Sequence, residues 1–270
     1  MYRCRVDLKD TQNEPDDRQL PIDRVGVKGL RYPIRVRDRA RESQETIATV
    51  RLTVDLPHHF KGTHMSRFLE VLHSHGPLLD VENIGSILRQ LAKRLDSRCA
   101  HADFEFPFFI EKEAPVSGAK GLVDYQVLFS ATLEEGNSDF VLTVVVPVTT
   151  LCPCSRSISE RGAHNQRGHV TLAVRFSRTI WIEDLVRLVE DCASSELYSL
   201  LKRTDEKAVT ERAYDNPVFV EDLVRNVSQR CREHPDIVWH RVEAENFESI
   251  HNHNAWALIE WPSAGNKPAD

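Results

Sequence analysis

The chain has 270 residues, of which 41% are hydrophobic and 28% charged, and its formal net charge is −6. These fractions are typical of a globular protein, and the length allows one large domain or two modules. The acidic balance argues against a nucleic-acid partner, because nucleic-acid binding needs a basic face. No apolar run approaches the ~18–20 residues of a membrane span, and the N-terminus lacks the apolar segment of a signal peptide. We therefore expect a cytoplasmic protein that contacts neither nucleic acid nor a membrane.

Residues 1–25 are charged and contain prolines, and we interpret them as a flexible N-terminal arm. For residues 26–136 the apolar periodicity predicts the order β-β-α-α-β-β, with alternation in the strands and an i, i+3, i+4, i+7 pattern in the helices. The predicted strands are 29–37, 48–56, 104–110 and 123–133, and the predicted helices have their first apolar residues at Met65 and Ile84.

Residues 137–265 repeat this order. The strand predicted at 139–148 is apolar almost without interruption, which indicates burial on both faces. Asn216 and Pro217 fit the N-cap and first residue of the last helix. The other elements are predicted as a strand at 170–176, a helix at 182–189 and strands at 237–246 and 255–261. Two β-β-α-α-β-β modules predict an α+β protein with antiparallel sheets and helices on one face.

The segment that joins the strands at 139–148 and 170–176 concentrates polar chemistry. Residues 147–170 read PVTTLCPCSRSISERGAHNQRGHV. A Cys-Pro-Cys sequence suits neither a helix interior nor a β-ladder, so we expect Cys152 and Cys154 in a turn. Cys152 and His164 have the chemistry of zinc-type ligands, but either cysteine is also a candidate nucleophile beside a histidine. A structural turn next to a surface histidine is the simplest alternative, and these residues alone leave all three open.

Four further residues are candidates, and each has a simpler structural explanation. Glu206 follows Thr204, a candidate helix N-cap, and an acid in the first turn of a helix suits the helix dipole. Glu221 lies one position off the apolar stripe of its helix, as a solvent-facing acid would. His251 and His253 point the same way if their stretch is extended, which is equally compatible with two exposed loop histidines.

The six cysteines are expected to be reduced, because disulfides are rare in the cytosol. Cys192 and Cys231 lie in helical patterns and Cys99 lies beside one, and we interpret all three as buried or incidental thiols. Cys4 lies in the polar N-terminal arm.

These motifs together resemble a known family. Residues 147–170 resemble the signature of GTP cyclohydrolase IB, the metal-dependent type of GTP cyclohydrolase that opens folate and related pterin pathways. Three more segments resemble that family in the same order: KGTHMSRFLEV (61–71), DEKAVTERAYDNPVFVEDLVR (205–225) and ESIHNHNAWA (248–257). The resemblance spans about residues 61–261, which is most of the chain.

The resemblance implies the tunnelling fold, with two β-β-α-α-β-β modules per chain and homotetramers whose active sites lie at subunit interfaces. It implies that Cys152, His164 and Glu206 bind a divalent metal, with His251 at the metal as a ligand or proton-transfer group. A mixed thiolate, imidazole and carboxylate set accepts zinc, manganese or iron, with manganese and zinc favoured.

The same resemblance implies the residues that meet the substrate, GTP. Glu221 corresponds to the glutamate that anchors a purine or pterin ring in tunnelling-fold enzymes. His253 and Cys154 match positions of the family motifs, and the resemblance implies a catalytic role for His253. We expect the triphosphate to meet basic residues of this region: Arg161, Arg167 and Arg203, with Lys202.

The implied reaction converts GTP into 7,8-dihydroneopterin triphosphate and formate. Water activated by the metal attacks C8 of guanine, and a histidine moves protons to the ring nitrogen. Two alternatives remain. One is a tunnelling-fold enzyme with a cysteine nucleophile, similar to the nitrile reductases of deazapurine synthesis, and the other is a non-enzymatic assembly module with a structural metal.

Overall fold

The computed structural model of the chain describes residues 12 and 14–262. The helices in this part are α1 (Met65–Ser74), α2 (Val81–Leu95), α3 (Pro153–Ile158), α4 (Ile182–Glu190), α5 (Arg203–Asp215) and α6 (Val220–Glu233). The strands are β1 (Ile22–Asp38), β2 (Glu42–Leu56), β3 (Leu78–Leu79), β4 (Cys99–Glu113), β5 (Lys120–Glu134), β6 (Asn137–Leu151), β7 (Asn165–Phe176), β8 (Ser195–Glu196), β9 (Ile237–Asn246) and β10 (Ala255–Trp261). No helix in the described part of the chain is long and apolar enough to cross a membrane.

Among the described residues, the first compact unit comprises those up to Arg37, Ser43–Glu105 and Phe129–Phe140. In it β2 and β4 pair antiparallel, and the inward-facing residues of β2 from Ala48 to Leu56 are at most 6% exposed. Helices α1 and α2 pack together and bury one apolar stripe each. Asp80 begins α2, because its side chain accepts the N–H of Asn83 at 2.9 Å.

The second compact unit comprises Asp38–Glu42, Phe106–Leu128 and the described residues from Val141 onward. Its antiparallel strands follow the order β6-β7-β9-β10, with α6 packed on β9 and β10 and α4 on β7. Leu172 and Val242 from the strands and Leu185 and Leu223 from the helices are 0% exposed, so the core lies between the two layers. The predicted α+β class, with antiparallel strands and helices on one face, is confirmed.

Each predicted strand lies within an observed one, but three details differ from prediction. β1 begins at Ile22, before the predicted strand 29–37. Asn216 ends α5 instead of starting α6, which begins at Val220. The reason is Pro217: a residue before proline avoids the helical region, so Asn216 cannot continue α5, and its Nδ2 donates to the carbonyl of Ala193 at 2.8 Å.

The third detail concerns β6. Leu142, Val144, Val146 and Val148 are at most 2% exposed, whereas the residues between them are only half-buried. The prediction that this strand is buried on both faces is therefore wrong for the single chain. Residues 1–11 and 13 of the predicted arm, with Cys4, lie outside the described residues. The division into an arm at 1–25 and modules at 26–136 and 137–265 stays a prediction.

Candidate active site

A cavity of about 270 Å³ lies in the second unit, at one edge of its sheet. The end of β6, the start of β7, the end of β9 and the start of β10 meet there, because neighbouring antiparallel strands bring alternate ends to the same edge. The chemistry-bearing side chains that line the cavity are Cys152, His164, Glu221, Glu248, His251 and His253. Five of these six belonged to the predicted site.

Cys152 is the N-cap of the short helix α3. Its Sγ accepts the N–H of Ser155 at 3.4 Å, and its own N–H donates to the carbonyl of His164 at 3.1 Å. The N–H of His164 in turn donates to Ser155 Oγ at 3.1 Å. The prediction that Cys-Pro-Cys forms a turn unsuited to a helix is wrong, because Pro153 takes the first helical position, where its missing N–H costs nothing.

His164 is held by a buried chain of side-chain hydrogen bonds. Its Nδ1 lies 3.0 Å from Gln166 Oε1, and Gln166 Nε2 donates to Thr150 Oγ1 at 2.9 Å. Gln166 is 8% exposed and Thr150 is 0% exposed. With the proton on Nδ1, His164 donates to Gln166 and keeps the lone pair of Nε2 for a ligand.

The connection between β9 and β10 supplies the carboxylate and the two histidines of this edge. Glu248 Oε2 lies 3.8 Å from His164 Nδ1, and both side chains are largely buried. The rings of His251 and His253 are stacked, with centroids 5.1 Å apart and planes inclined by 20°. The stretch is bent and exposed and does not extend a strand, yet both rings reach the cavity.

Glu221 is the second residue of α6, and Phe219 and Val220 line the same cavity beside it. An exposed carboxylate at a helix N-terminus has favourable electrostatics, because the helix dipole is positive there. The cavity thus combines carboxylates and apolar walls with a thiol and imidazoles.

Glu206 is not among the residues that line this cavity. It is exposed on α5, and the buried acid of that helix is its neighbour Asp205. Asp205 accepts Ser117 Oγ–H at 2.6 Å and the N–H groups of Ser117, Val116 and Lys202 at 2.8–2.9 Å. Burial alone would raise the pKa of Asp205, but these donors outweigh it and hold the pKa below its usual range.

The basic residues predicted to meet phosphate are also outside the cavity. Arg161, Arg167 and Arg203 are exposed, as are Lys202 and Cys154. Of the remaining cysteines, Cys192 and Cys231 are buried, and burial raises the pKa of each thiol, to about 11 and about 12. These two thiols are packing residues, as predicted.

A model of the family described as Type I GTP cyclohydrolase folE2 matches residues 8–257. The chain belongs to this family. A GTP cyclohydrolase FolE2 from Akkermansia muciniphila is 62% identical over 257 residues, which cover 94% of this chain and 97% of the relative. A GTP cyclohydrolase FolE2 from Syntrophotalea carbinolica is 55% identical over 255 residues, or 94% of this chain and 96% of the relative.

Among solved structures, the uricase from Arthrobacter globiformis is similar, with a TM-score of 0.54. The match covers 92% of this chain and 96% of the uricase at 9% identity, so it concerns the fold alone. It confirms the predicted tunnelling fold for this FolE2 family member.

Three polar residues that line the candidate cavity were missed by sequence reasoning. Glu248 lies three positions before His251, and an acid this close to two candidate histidines was a usable signal. Gln166 and Asn246 were less accessible from sequence. Each is polar at an inward-facing strand position, and only the tertiary structure places them against the cavity.

The side chains at this cavity fit a divalent metal by donor type: a thiol, three imidazoles and two carboxylates are the donors that zinc-type ions prefer. In the described part of the chain, however, no group of three His, Cys, Asp or Glu side chains is placed to hold a metal ion. The metal role of Cys152, His164, Glu206 and His251 therefore stays a prediction for this FolE2 family member.

Proposed function

We propose that this chain is a GTP cyclohydrolase of type IB. It converts GTP and water into 7,8-dihydroneopterin triphosphate and formate, the first step of folate and pterin biosynthesis. Membership of the FolE2 family supports this activity. The observation that carries the proposal is that Cys152, His164 and Glu221, from separate parts of the chain, line one cavity of about 270 Å³. Its size is close to the lower end of the ~300–1,000 Å³ typical of small-molecule sites.

Glu221 has the chemistry to select the base. Guanine presents two adjacent donors, N1–H and the exocyclic amine, and a carboxylate accepts both in a bidentate arrangement. Adenine has a lone pair at N1, which would face the carboxylate, so adenine is rejected by electrostatic repulsion. The apolar Phe219 and Val220 beside Glu221 suit the face of a purine ring.

The histidines supply proton transfer. Hydrolysis at C8 opens the ring, a second hydrolysis releases that carbon as formate, and the rearranged ribose closes onto the diamine with loss of water. Each stage needs a proton delivered to a ring nitrogen or removed from a water molecule. His251 and His253 stack at the cavity, and imidazoles exchange protons near neutral pH.

The residues proposed to hold a divalent ion are Cys152, His164, Glu206 and His251, and the ion is manganese, zinc or iron. When bound, such an ion supplies an acidified water molecule to the hydrolysis. The contribution of the protein is orientation. Gln166 fixes the ring of His164 and its Nδ1 proton, so that Nε2 is presented as the ligand atom.

Arg161, Arg167 and Arg203 are proposed to bind the triphosphate. All three are exposed and lie outside the cavity, which suits phosphates that project from a base-sized pocket. The homotetramer with active sites at subunit interfaces is likewise a proposal. The half-buried Val141 and Val145 on the outer face of β6 support it, because a second copy would cover them. Size-exclusion chromatography with light scattering tests the mass.

The activity is tested with protein stripped of metal and reconstituted across manganese, zinc and iron. GTP should give stoichiometric formate and a fluorescent pterin after oxidation, and ATP should give neither. Absence of both products with every metal would overturn the proposal. A cysteine-nucleophile enzyme would instead form a thioimide adduct on Cys152 with a nitrile substrate, which intact-protein mass spectrometry detects.

A further inference from the structure

The inward-facing row of β9 ends on a polar residue. His240, Val242, Ala244 and Asn246 alternate with more exposed residues along this strand, and all four are buried. Alternation would place an apolar side chain at the last position, as it does at Val242 and Ala244. Asn246 is instead a carboxamide that is 3% exposed and lines the candidate active-site cavity.

The side-chain oxygen of Asn246 is fully buried and has no hydrogen-bond partner among the described residues. A buried acceptor without a donor is unfavourable, because it has lost its hydrogen bonds to water and has formed none within the protein. Asn246 also lines the cavity, so a turn of its carboxamide about χ2 would let Oδ1 accept from a donor bound there.

The backbone beside Asn246 is shaped to keep this side chain in place. Gly168 on β7 is its register partner, and a Cβ at Gly168 would lie 2.6 Å from Asn246 Oδ1 and 3.1 Å from the carbonyl of Glu245. Real Cβ atoms are essentially never found at 2.6 Å, so any side chain at position 168 would displace the carboxamide. The glycine leaves the space that the carboxamide occupies.

We propose that Asn246 is a specificity residue whose Oδ1 accepts a hydrogen bond from the exocyclic amine of guanine. This inference rests on the proposed function, in which Glu221 accepts N1–H and one of the two amine hydrogens. The second amine hydrogen is then the remaining donor on that edge of the base. Two acceptors, Glu221 and Asn246, line the same cavity and match three guanine donors.

The test compares GTP with inosine triphosphate, which differs only in lacking the exocyclic amine. The variants are Asn246→Leu, which removes both polar atoms, Asn246→Asp, which keeps an acceptor of the same shape, and Asn246→Ala in case the leucine variant does not fold. The control is Asn226→Leu on the exposed face of α6. The measurements are kcat/KM and, on metal-free protein, the Kd of each nucleotide, with melting temperatures to verify folding.

The leucine and alanine variants should lose about tenfold in kcat/KM and in affinity for GTP, and Asn246→Asp and the control much less. Values for inosine triphosphate should change by less than about twofold, because the lost partner is absent from that substrate. Equal losses for both nucleotides, or none, would overturn the inference. So would an aspartate variant as impaired as leucine, because the group needed would then be a donor. A wild-type protein that releases no formate from GTP would instead overturn the proposed function.

Discussion

His164 Nδ1 lies 3.0 Å from Gln166 Oε1. Gln166 in turn donates a hydrogen bond to Thr150, which is 0% exposed. A ligand imidazole normally donates its other N–H to such an acceptor, which fixes both the tautomer and the ring orientation. Gln166 is thus a positioning residue for His164, and its effect should be visible in metal affinity before any turnover.

Gln166→Leu should lower the affinity for zinc or manganese by about 10–100-fold, the usual cost of losing such a partner. Gln166→Glu keeps an acceptor that faces Nδ1 and should stay close to wild type. Competition with a chromophoric chelator measures both, with melting temperatures of the metal-free proteins as the folding control. Unchanged affinity in the leucine variant would show that Gln166 does not orient a metal ligand.

Glu221→Gln should lower kcat/KM for GTP by about 10–100-fold, since a charge-assisted hydrogen bond contributes roughly 1.5–3 kcal/mol. Metal content should not change, because Glu221 is proposed to bind the base. Asp222→Asn is the matched control, one position along α6 on an exposed acid that pairs with Arg225 at 2.9 Å. A Glu221 variant that loses its metal would contradict the assigned role.

The buried His240 should make the protein acid-sensitive. Burial, and secondarily the charge of Arg232, lowers the pKa of His240 to about 4. The unfolded chain, with a histidine pKa of about 6.5, binds the proton first as the pH falls, so stability is complete above pH ~6.5 and decreases between ~6.5 and 4. The loss over that window is about 3 kcal/mol by linkage.

Urea midpoints at pH 7.5 and pH 4.5 measure this dependence. His240→Gln should flatten it, although removal of the bond to Ser228 Oγ, 2.8 Å from Nε2, lowers stability at both pH values. His59→Gln, at an exposed position, should keep the wild-type slope. The same slope in the His240 variant would mean that another group titrates.

Asp205 and Glu206 are neighbours on α5, but substitutions at the two positions should affect the stability of the protein differently. Asp205→Ala removes the acceptor of four hydrogen bonds that join the start of α5 to residues 116 and 117, so the melting temperature of the metal-free protein should fall by several degrees. Glu206→Gln is the control and should leave that temperature unchanged, because its side chain is exposed. Differential scanning calorimetry checks both, and equal melting temperatures would contradict the role of Asp205.

Local patterns identified the elements well. Alternation in β2 and the helical spacing in α1, α2 and α4 were enough to predict the type of each element. The reason is that core-facing side chains are apolar, and they recur every second residue in a strand and every three or four residues in a helix. Asn216 shows where this fails. Asn-Pro fits a helix start and a helix end equally well, and in the structure Asn216 is the C-cap of α5.

Sequence by itself determined which residue types were available for chemistry. The motifs around Cys152, His164, Glu221 and His251 resembled a GTP cyclohydrolase family, and the chain belongs to the family described as Type I GTP cyclohydrolase folE2. Tertiary structure decided which of them meet: antiparallel β6, β7, β9 and β10 bring ends that are distant in sequence to one edge, and α5 leaves Glu206 outside the cavity. It also decided that Gln166 and Asn246 line this cavity, since periodicity shows only that a polar residue faces inward and not which groups lie opposite it.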